Sequence, residues 1–507
     1  MATKTFKRPD IECPEIVIGI VSPVGTDVTG VISALHSSFK KMNYDIYHIK
    51  LSKIMGDIAK PLSYNKLVES NKYSRINSYI DFGNYLRENL GNDILSAMAI
   101  ASIVENRLSD KLNKGFERKI YIVDQLKTED ELHLLSEVYG KSFFQISVYS
   151  ARDIRVDNLS KAMAHDEKRG DRNAFRDKAE FLVVRDEDER DVPHGQKVGK
   201  IFQYADLVLN ADKVDDLNKI DRQVDRFVDL LFGSNRYSPN RLEYGMFVAH
   251  SAALRSLDLS RQVGAAIFRS SGEIACLGSN EVPKAGGGTY WADDIFDARE
   301  YKLHGDSNDA RKEELLNEVL EIALGKGFRL GEEKTKQLER SQFMDALEYG
   351  RIVHAEMCAL SDAARLGIQV VGGTIYCTTF PCHMCSKHIV ASGIAKVVFL
   401  EPYPKSLTSD LHSDSVKIEG SSRGIYEKYP SVEYVPFFGI TPRRYRELFA
   451  RSKRKQKGRF VEFQGDTPRP IISMIAPWYM QRESEIIDLA QLSISAFINQ
   501  VWSRKPA

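Results

Sequence analysis

The sequence predicts an α/β protein built as two domains, on three observations. Apolar, β-branched runs alternate with helical stretches through the first 235 residues, the order that builds a parallel sheet. A turn-rich joint follows, Gly233-Ser234-Asn235-Arg236-Tyr237-Ser238-Pro239. Beyond it, a helix, two strands and a further alternation of helices and strands imply a second, layered α/β/α domain with a mixed sheet. The expected domains are 1–235 and 236–507, the second holding a charged, largely helical insertion at about 286–349.

The first domain opens with Glu15-Ile16-Val17-Ile18-Gly19-Ile20-Val21, a buried-strand pattern. Ser22 to Gly30 is a loop of small residues, and a helix runs from about Val31 to Lys41. Strand, loop and helix in this order are the layout of a phosphate-binding loop, whose full motif is G-x-x-x-x-G-K-[ST]. Aligned on Thr29, this chain has Ser22 and Asp27 at the glycine positions and Val28 where lysine belongs. A lysine charge normally holds the phosphates there, so its loss weakens phosphoryl transfer. Lys119 to Asp124 is a second buried strand ending in an acid. A helix from about Glu129 to Tyr139, a strand Phe143 to Val148, the arginines Arg169, Arg172 and Arg176, and a strand Ala205 to Asn210 follow. Over residues 15–235 this order resembles small nucleoside and nucleotide kinases, in layout and not in the catalytic motif. The resemblance implies a P-loop kinase-like parallel-sheet domain that is degenerate and regulatory. A nucleotide ligand would meet Gly25, Thr29 and Asp124, and measurable phosphoryl transfer would overturn this reading.

The second domain starts with a helix from about Asn240 to Ser256, with apolar residues at helical spacing. Strands Val263 to Phe268 and Glu273 to Gly278 flank a short Ser-Ser-Gly turn. After the insertion comes His354-Ala355-Glu356, opening a helix that stops at Gly367. Gly373 to Thr379 reads as a strand, and Pro381-Cys382-His383-Met384-Cys385 opens a second helix with its cysteines one turn apart. Lys396 to Leu400 is a further strand. One imidazole and two thiolates suit zinc and leave tetrahedral Zn²⁺ one open position. Water bound to zinc is acidified towards neutral pH. Glu356, two residues from His354, is not needed as a ligand and is free to move protons. His383 and His388 are expected on other helix faces, and Cys358 and Cys377 as small buried residues.

H-x-E followed by P-C-x-x-C is the pattern of zinc-dependent nucleobase deaminases. Ser260-Arg261-Gln262-Val263-Gly264-Ala265 resembles the T-Q-V-G-A strand of the deoxycytidylate deaminase family, with Arg261 in the threonine place. Gly278-Ser279-Asn280-Glu281-Val282-Pro283 resembles its G-x-N-x-x-P segment. The resemblance implies a cytidine/deoxycytidylate deaminase-like fold, Asn280 as a sugar contact and a homo-oligomer. The fusion of the two halves, with Glu401-Pro402-Tyr403-Pro404-Lys405-Ser406 after the last core strand, resembles the bacterial anti-phage dCTP deaminases. That likeness implies conversion of dCTP and dCMP to uracil nucleotides, and silencing by an inhibitory non-coding RNA. Tyr403 is expected against the base, and Lys405 and Arg261 near phosphate.

Composition bounds the alternatives. The formal net charge is +1, which disfavours a protein committed to a nucleic-acid backbone. One basic run, Arg451, Lys453, Arg454, Lys455, Lys457 and Arg459, supports the competing reading of an RNA or single-stranded DNA deaminase. Six cysteines, two of them in the metal group, do not suggest a disulfide framework, and no apolar run is long enough to span a membrane. The first ten residues lack a signal-peptide core, so a cytoplasmic protein is expected. Ile486 to Trp502 reads as a packing helix, for the core or for a subunit contact.

Overall fold

The computed structural model describes residues 11–109, 116–187, 189, 192–212, 219–303, 305–328, 330–339, 341–402, 406–451, 453–463, 468–472, 474 and 476–503. The chain divides into two compact units, one formed by Met1–Pro239 with Phe438–Ala507 and the other by Asn240–Phe437.

The first unit is built on strands β1 (Ile16–Val21), β2 (Asp45–Lys50), β3 (Lys119–Asp124), β4 (Phe143–Tyr149) and β5 (Leu207–Asn210). They pair in parallel in the order β5-β4-β1-β3-β2, with Val17 opposite Tyr121 on one side and Phe143 on the other. Every residue of β1 and β3 is buried, which is why both read as continuous apolar runs. Ile18, Ile120 and Ile146 face one core with Leu35, Phe39 and Phe227, while Val17, Tyr121 and Val123 face another with Phe82, Leu86 and Ile100. Helices therefore cover both faces of the sheet.

The joint lies at Pro239, and the last seventy residues do not belong with the second unit as the sequence suggested. A two-residue strand, β12 (Gly439–Ile440), pairs antiparallel with β5 and extends the first sheet. The Tyr479–Ser503 helix lays Ile486, Ile487, Ala490, Ile494, Phe497 and Ile498 on the first unit's core. The packing helix foreseen at Ile486 to Trp502 thus serves that core. Its anchor is charged: Arg107 donates to Glu15 at 2.9 Å and to Glu483 at 2.8 Å. Tyr479 and Tyr139 donate to the same two carboxylates. Arg107→Ala would leave two buried acids without their cation, so a loss of about 3–5 kcal/mol is expected. Thermal unfolding of the full chain reads the loss, and limited proteolysis should cut the C-terminal helix free first.

In the second unit, β6 (Gly264–Phe268), β7 (Ile274–Ser279), β8 (Thr374–Thr379), β9 (Lys396–Glu401), β10 (Val416–Ile418) and β11 (Val432–Pro436) form one mixed sheet in the order β10-β11-β9-β8-β6-β7. β6 runs antiparallel to β7 and β8, and the remaining pairs are parallel. The insertion is less helical than its charge pattern suggested. Its α-helices are Ser307–Leu324 and Glu332–Glu339, and the rest consists of turns, short 3₁₀ segments and extended chain. A bridge between Glu281 and Val353 ties its two ends together.

Candidate active site

Two helix starts meet in the second unit. His354 is the N-cap of the Ala355–Leu366 helix, and Cys382 is the N-cap of the His383–Ala391 helix. β7 holds the first of these at very close range. A Cβ on Gly278 would lie 2.0 Å from Ala355 O and 2.6 Å from Ala359 N, so only glycine allows the contact. The Ala355–Leu366 helix ends on Gly367 in the left-handed region, φ 67°, the stop that the sequence signalled.

His354 Nδ1 lies 3.4 Å from Cys382 Sγ and 3.3 Å from Cys385 Sγ. Tetrahedral zinc with ordinary Zn–N and Zn–S bonds needs N···S separations of about 3.5 Å, so the donor set fits the ion with small adjustment. Among the described residues this is the one group of His, Cys and acidic side chains clustered tightly enough to hold a metal. Glu356 Oε2 lies 3.5 Å from Cys385 Sγ, and the residue is 4% exposed. Burial pushes the Glu356 carboxyl up, and the neighbouring Cys382 adds to the rise. The Cys385 S–H beside it, and then His354, hold the Cys382 thiol down at about 4. Cys385 is driven well up by Cys382 and by burial, and His354 is raised chiefly by Cys382. Cys358 and Cys377 are buried, as their positions in a helix and a strand suggested, and neither belongs to the ligand group, although Cys377 is near enough to add to the rise of Cys385.

A cavity of 240 Å³ opens over the site, and His354, Glu356 and Cys382 form part of its floor. Asn280 and Arg261 line it, and both are already engaged. Asn280 Oδ1 accepts from Val263 N at 2.7 Å, and Nδ2 donates to Arg261 O at 2.8 Å. The amide shapes the 261–263 turn, with one lone pair and one N–H left over. Arg261 pairs with Glu401 at 3.3 Å. Tyr403 and Lys405 fall outside the described residues. Phe380 supplies an aromatic wall within the described set, edge-on to Phe399.

The insertion supplies what the sequence reading missed. Glu300, Asn308, Asp309, Lys312 and Leu347 line the same cavity. Lys312 is 5% exposed, and its Nζ donates to Met344 O and pairs with Asp309, both at 2.7 Å. Asn308 Nδ2 donates to Ala346 O at 2.9 Å. These two side chains pin the far end of the insertion to its own helix. A lysine in a charged helix carries no sequence mark of burial, so the signal was absent.

In the first unit, Gly25 and Asp124 line a separate cavity, whereas Thr29 is exposed and lies off it. Gly25 has φ 87°, and a Cβ there would meet Arg155 O at 2.6 Å. Asp124 stands at the end of β3 with His48 at 3.5 Å. The three arginines noted in the sequence are paired with acids: Arg169 with Glu167, Arg172 with Asp157, and Arg176 with Glu180 and Asp153.

Residues 239–401 match the family model described as the cytidine and deoxycytidylate deaminase zinc-binding region. The deoxycytidylate deaminase of Enterobacteria phage T2 is 46% identical over 54 residues, 11% of this chain and 29% of that protein. The human deoxycytidylate deaminase is 28% identical over 158 residues, 31% of this chain and 63% of its own length. Each of these matches thus spans less than two thirds of the relative. The crystal structure of dCMP deaminase from the cyanophage S-TIM5 aligns at 18% identity with a TM-score of 0.22, covering 40% of this chain and all of that one. Over residues 239–401 the second unit is therefore similar to the cytidine and deoxycytidylate deaminase zinc-binding region, and His354, Cys382 and Cys385 are the residues there that fit a metal ion.

Proposed function

We propose that the second unit deaminates free deoxycytidine nucleotides, dCTP and dCMP, by hydrolysis to the deoxyuridine nucleotides and ammonia. The observation that carries this reading is the buried Glu356 carboxyl beside the His354/Cys382/Cys385 group, with Glu356, His354 and Cys382 lining one cavity of 240 Å³. Zinc, when bound, makes a water molecule acidic enough to react near neutral pH. The protein does the rest. Glu356, raised by burial, takes one proton from that water as its oxygen bonds to the amine-bearing carbon, and hands it to the ring nitrogen. It then takes the proton of the new hydroxyl and delivers it to the amine, which leaves as ammonia as the C–N bond breaks. Phe380 offers a flat face to the base. Asn280 fixes the turn that lines the sugar end, with its remaining N–H directed to a hydroxyl. Lys312 and Arg261, the cations on the cavity wall, meet the phosphates. Tyr403 and Lys405 would complete the base and phosphate contacts.

The basic run favouring a polynucleotide substrate does not support that alternative in the metal-bearing unit. Lys455–Gln456 and Arg459–Phe460 form a small hairpin that belongs to the first unit. Draining dCTP removes a precursor of DNA synthesis, so the defence role implied by the two-domain likeness is consistent with this chemistry. Incubating the purified full chain with dCTP, dCMP, CTP and deoxycytidine in parallel tests the proposal. Uracil product is expected from the two deoxynucleotides and little from deoxycytidine. Deamination of an oligonucleotide, with none of any free nucleotide, would overturn it.

A further inference from the structure

The first unit holds a cavity of 1060 Å³ that the proposed deamination does not use. One wall is the loop Ser22 to Val28, between β1 and the Thr29–Lys41 helix. In a loop of this layout the main-chain N–H groups are free to receive an anion. Here one of them is taken by the chain's own Asp186, and Asp27 turns back on the helix start beside the loop. Asp27 Oδ1 accepts from Thr29 N at 3.0 Å. Asp186, 1% exposed near the end of the Arg176–Glu187 helix, accepts from Val24 N at 2.7 Å through Oδ2. Its Oδ1 accepts from Lys127 Nζ at 2.8 Å, and Lys127 also donates to Ser22 O at 2.8 Å. Lys127 thus brings an ammonium to a loop that has valine at position 28, and the anion that Lys127 holds is Asp186. A main-chain N–H and an ammonium converging on one group suit a phosphate oxygen as well as a carboxylate.

The same cavity has further unmet bonding capacity. Asp124 is 2% exposed, and its Oδ1 has no hydrogen-bond partner among the described residues. Thr26 Oγ1 and Gln196 Oε1 are likewise buried without partners, and all three residues line the cavity. Lys50, Lys72, Arg75 and Arg87 stand around them. Buried polar atoms without partners are rare in folded proteins, and because the Asp124 and Gln196 oxygens only accept, they fit a hydroxyl, an N–H or a cation of a bound molecule, while Thr26 Oγ1 can donate to its phosphate.

We propose that this cavity takes a phosphate-bearing ligand in competition with Asp186. The carboxylate is an internal occupant of the anion position, and the ligand's phosphate receives Val24 N and Lys127 Nζ when the helix end carrying Asp186 withdraws. That end is held by Glu187 to Arg155 at 2.6 Å and by Arg185 to Asp81 and Glu189 at 2.6 and 2.7 Å. Binding is therefore coupled to release of the Arg176–Glu187 helix, and the unliganded protein stays latched. The inference does not depend on the deaminase reading, and its readouts involve no turnover.

The test uses the full chain, with inorganic pyrophosphate and ATP as probes at constant ionic strength. Calorimetry should show Asp186→Ala binding pyrophosphate about tenfold more tightly than the wild type, because the variant no longer has to unlatch. Adding Lys127→Met to that variant should remove the gain. A larger gain for ATP than for pyrophosphate identifies a nucleotide as the source of the phosphate; an equal gain identifies free polyphosphate. Equal affinity of wild type and Asp186→Ala, or a gain that survives Lys127→Met, overturns the proposal. Hydrogen exchange on the wild type gives a result even if the variants do not fold. Saturating pyrophosphate should slow exchange in 22–28 and speed it in 176–187, and unchanged exchange in both segments also overturns the proposal.

Discussion

Glu356→Gln is expected to reduce deamination by about 10³- to 10⁴-fold, or about 4–5.5 kcal/mol of barrier, while zinc content stays at that of the wild type. The substitution keeps the shape of a side chain that is 4% exposed, so the floor of the cavity should not collapse. What it removes is the ability to accept and return a proton. Burial already holds the Glu356 carboxyl above the ordinary range, as a group working near neutral pH requires. Its Oε2 lies 3.5 Å from Cys385 Sγ, close enough to reach a molecule held by the metal ligands yet outside the set that ligates. Product analysis and metal analysis on the same preparation check both halves. Turnover like the wild type's would refute the proton-transfer role, and loss of zinc would show that Glu356 also supports the metal.

The parts of the structure legible in the sequence were those fixed by local physics. Lys119–Asp124 and Glu129–Tyr139 were placed to the residue, because a fully buried parallel strand is an unbroken apolar run and a capping box marks the helix start. The metal group was legible because its spacing reflects two helix starts, each with a ligand at the cap. β2 was missed: it lies at the sheet edge, and only Ile49 of its six residues is buried, so it has neither alternation nor an apolar run. The return of residues 438–507 to the first unit was also invisible. It depends on Arg107 meeting Glu15 and Glu483 across hundreds of residues, and no local pattern records such a partner. Asn280 shows a different limit. The motif singled it out and it lines the cavity, but its amide is largely spent on the backbone of residues 261–263. Lys312 and Asp186 are charged residues on helices, indistinguishable in sequence from solvated ones, and only the fold reveals that both are buried.

Zinc affinity should depend steeply on pH, with a slope that changes as His354 titrates. In the metal-free protein Cys382 is a thiolate down to about 4, whereas Cys385 keeps its proton well above the usual thiol range and His354 is raised by Cys382. Ligands must be deprotonated to bind. Above the raised pKa of His354, zinc displaces one proton, from Cys385, and affinity should rise about tenfold per pH unit. Below it, zinc displaces a second proton, from the imidazole, and affinity should fall about 100-fold for each unit of acidification. Competition against a chromogenic chelator across that range measures the slope, and a pH-independent affinity would refute the assigned protonation states. Cys385→Ser should weaken zinc by more than about 100-fold, since losing a direct ligand exceeds the loss of a supporting residue. Because zinc binds only the folded site, its removal also destabilises the second unit, by about 4 kcal/mol when free zinc stood at a thousand times the dissociation constant. His354 and Cys382 stand at the starts of the Ala355–Leu366 and His383–Ala391 helices, so the metal ties two helix N-termini together. Chelated wild type and Cys385→Ser should therefore unfold at the same lowered temperature, and added zinc should restore the former alone.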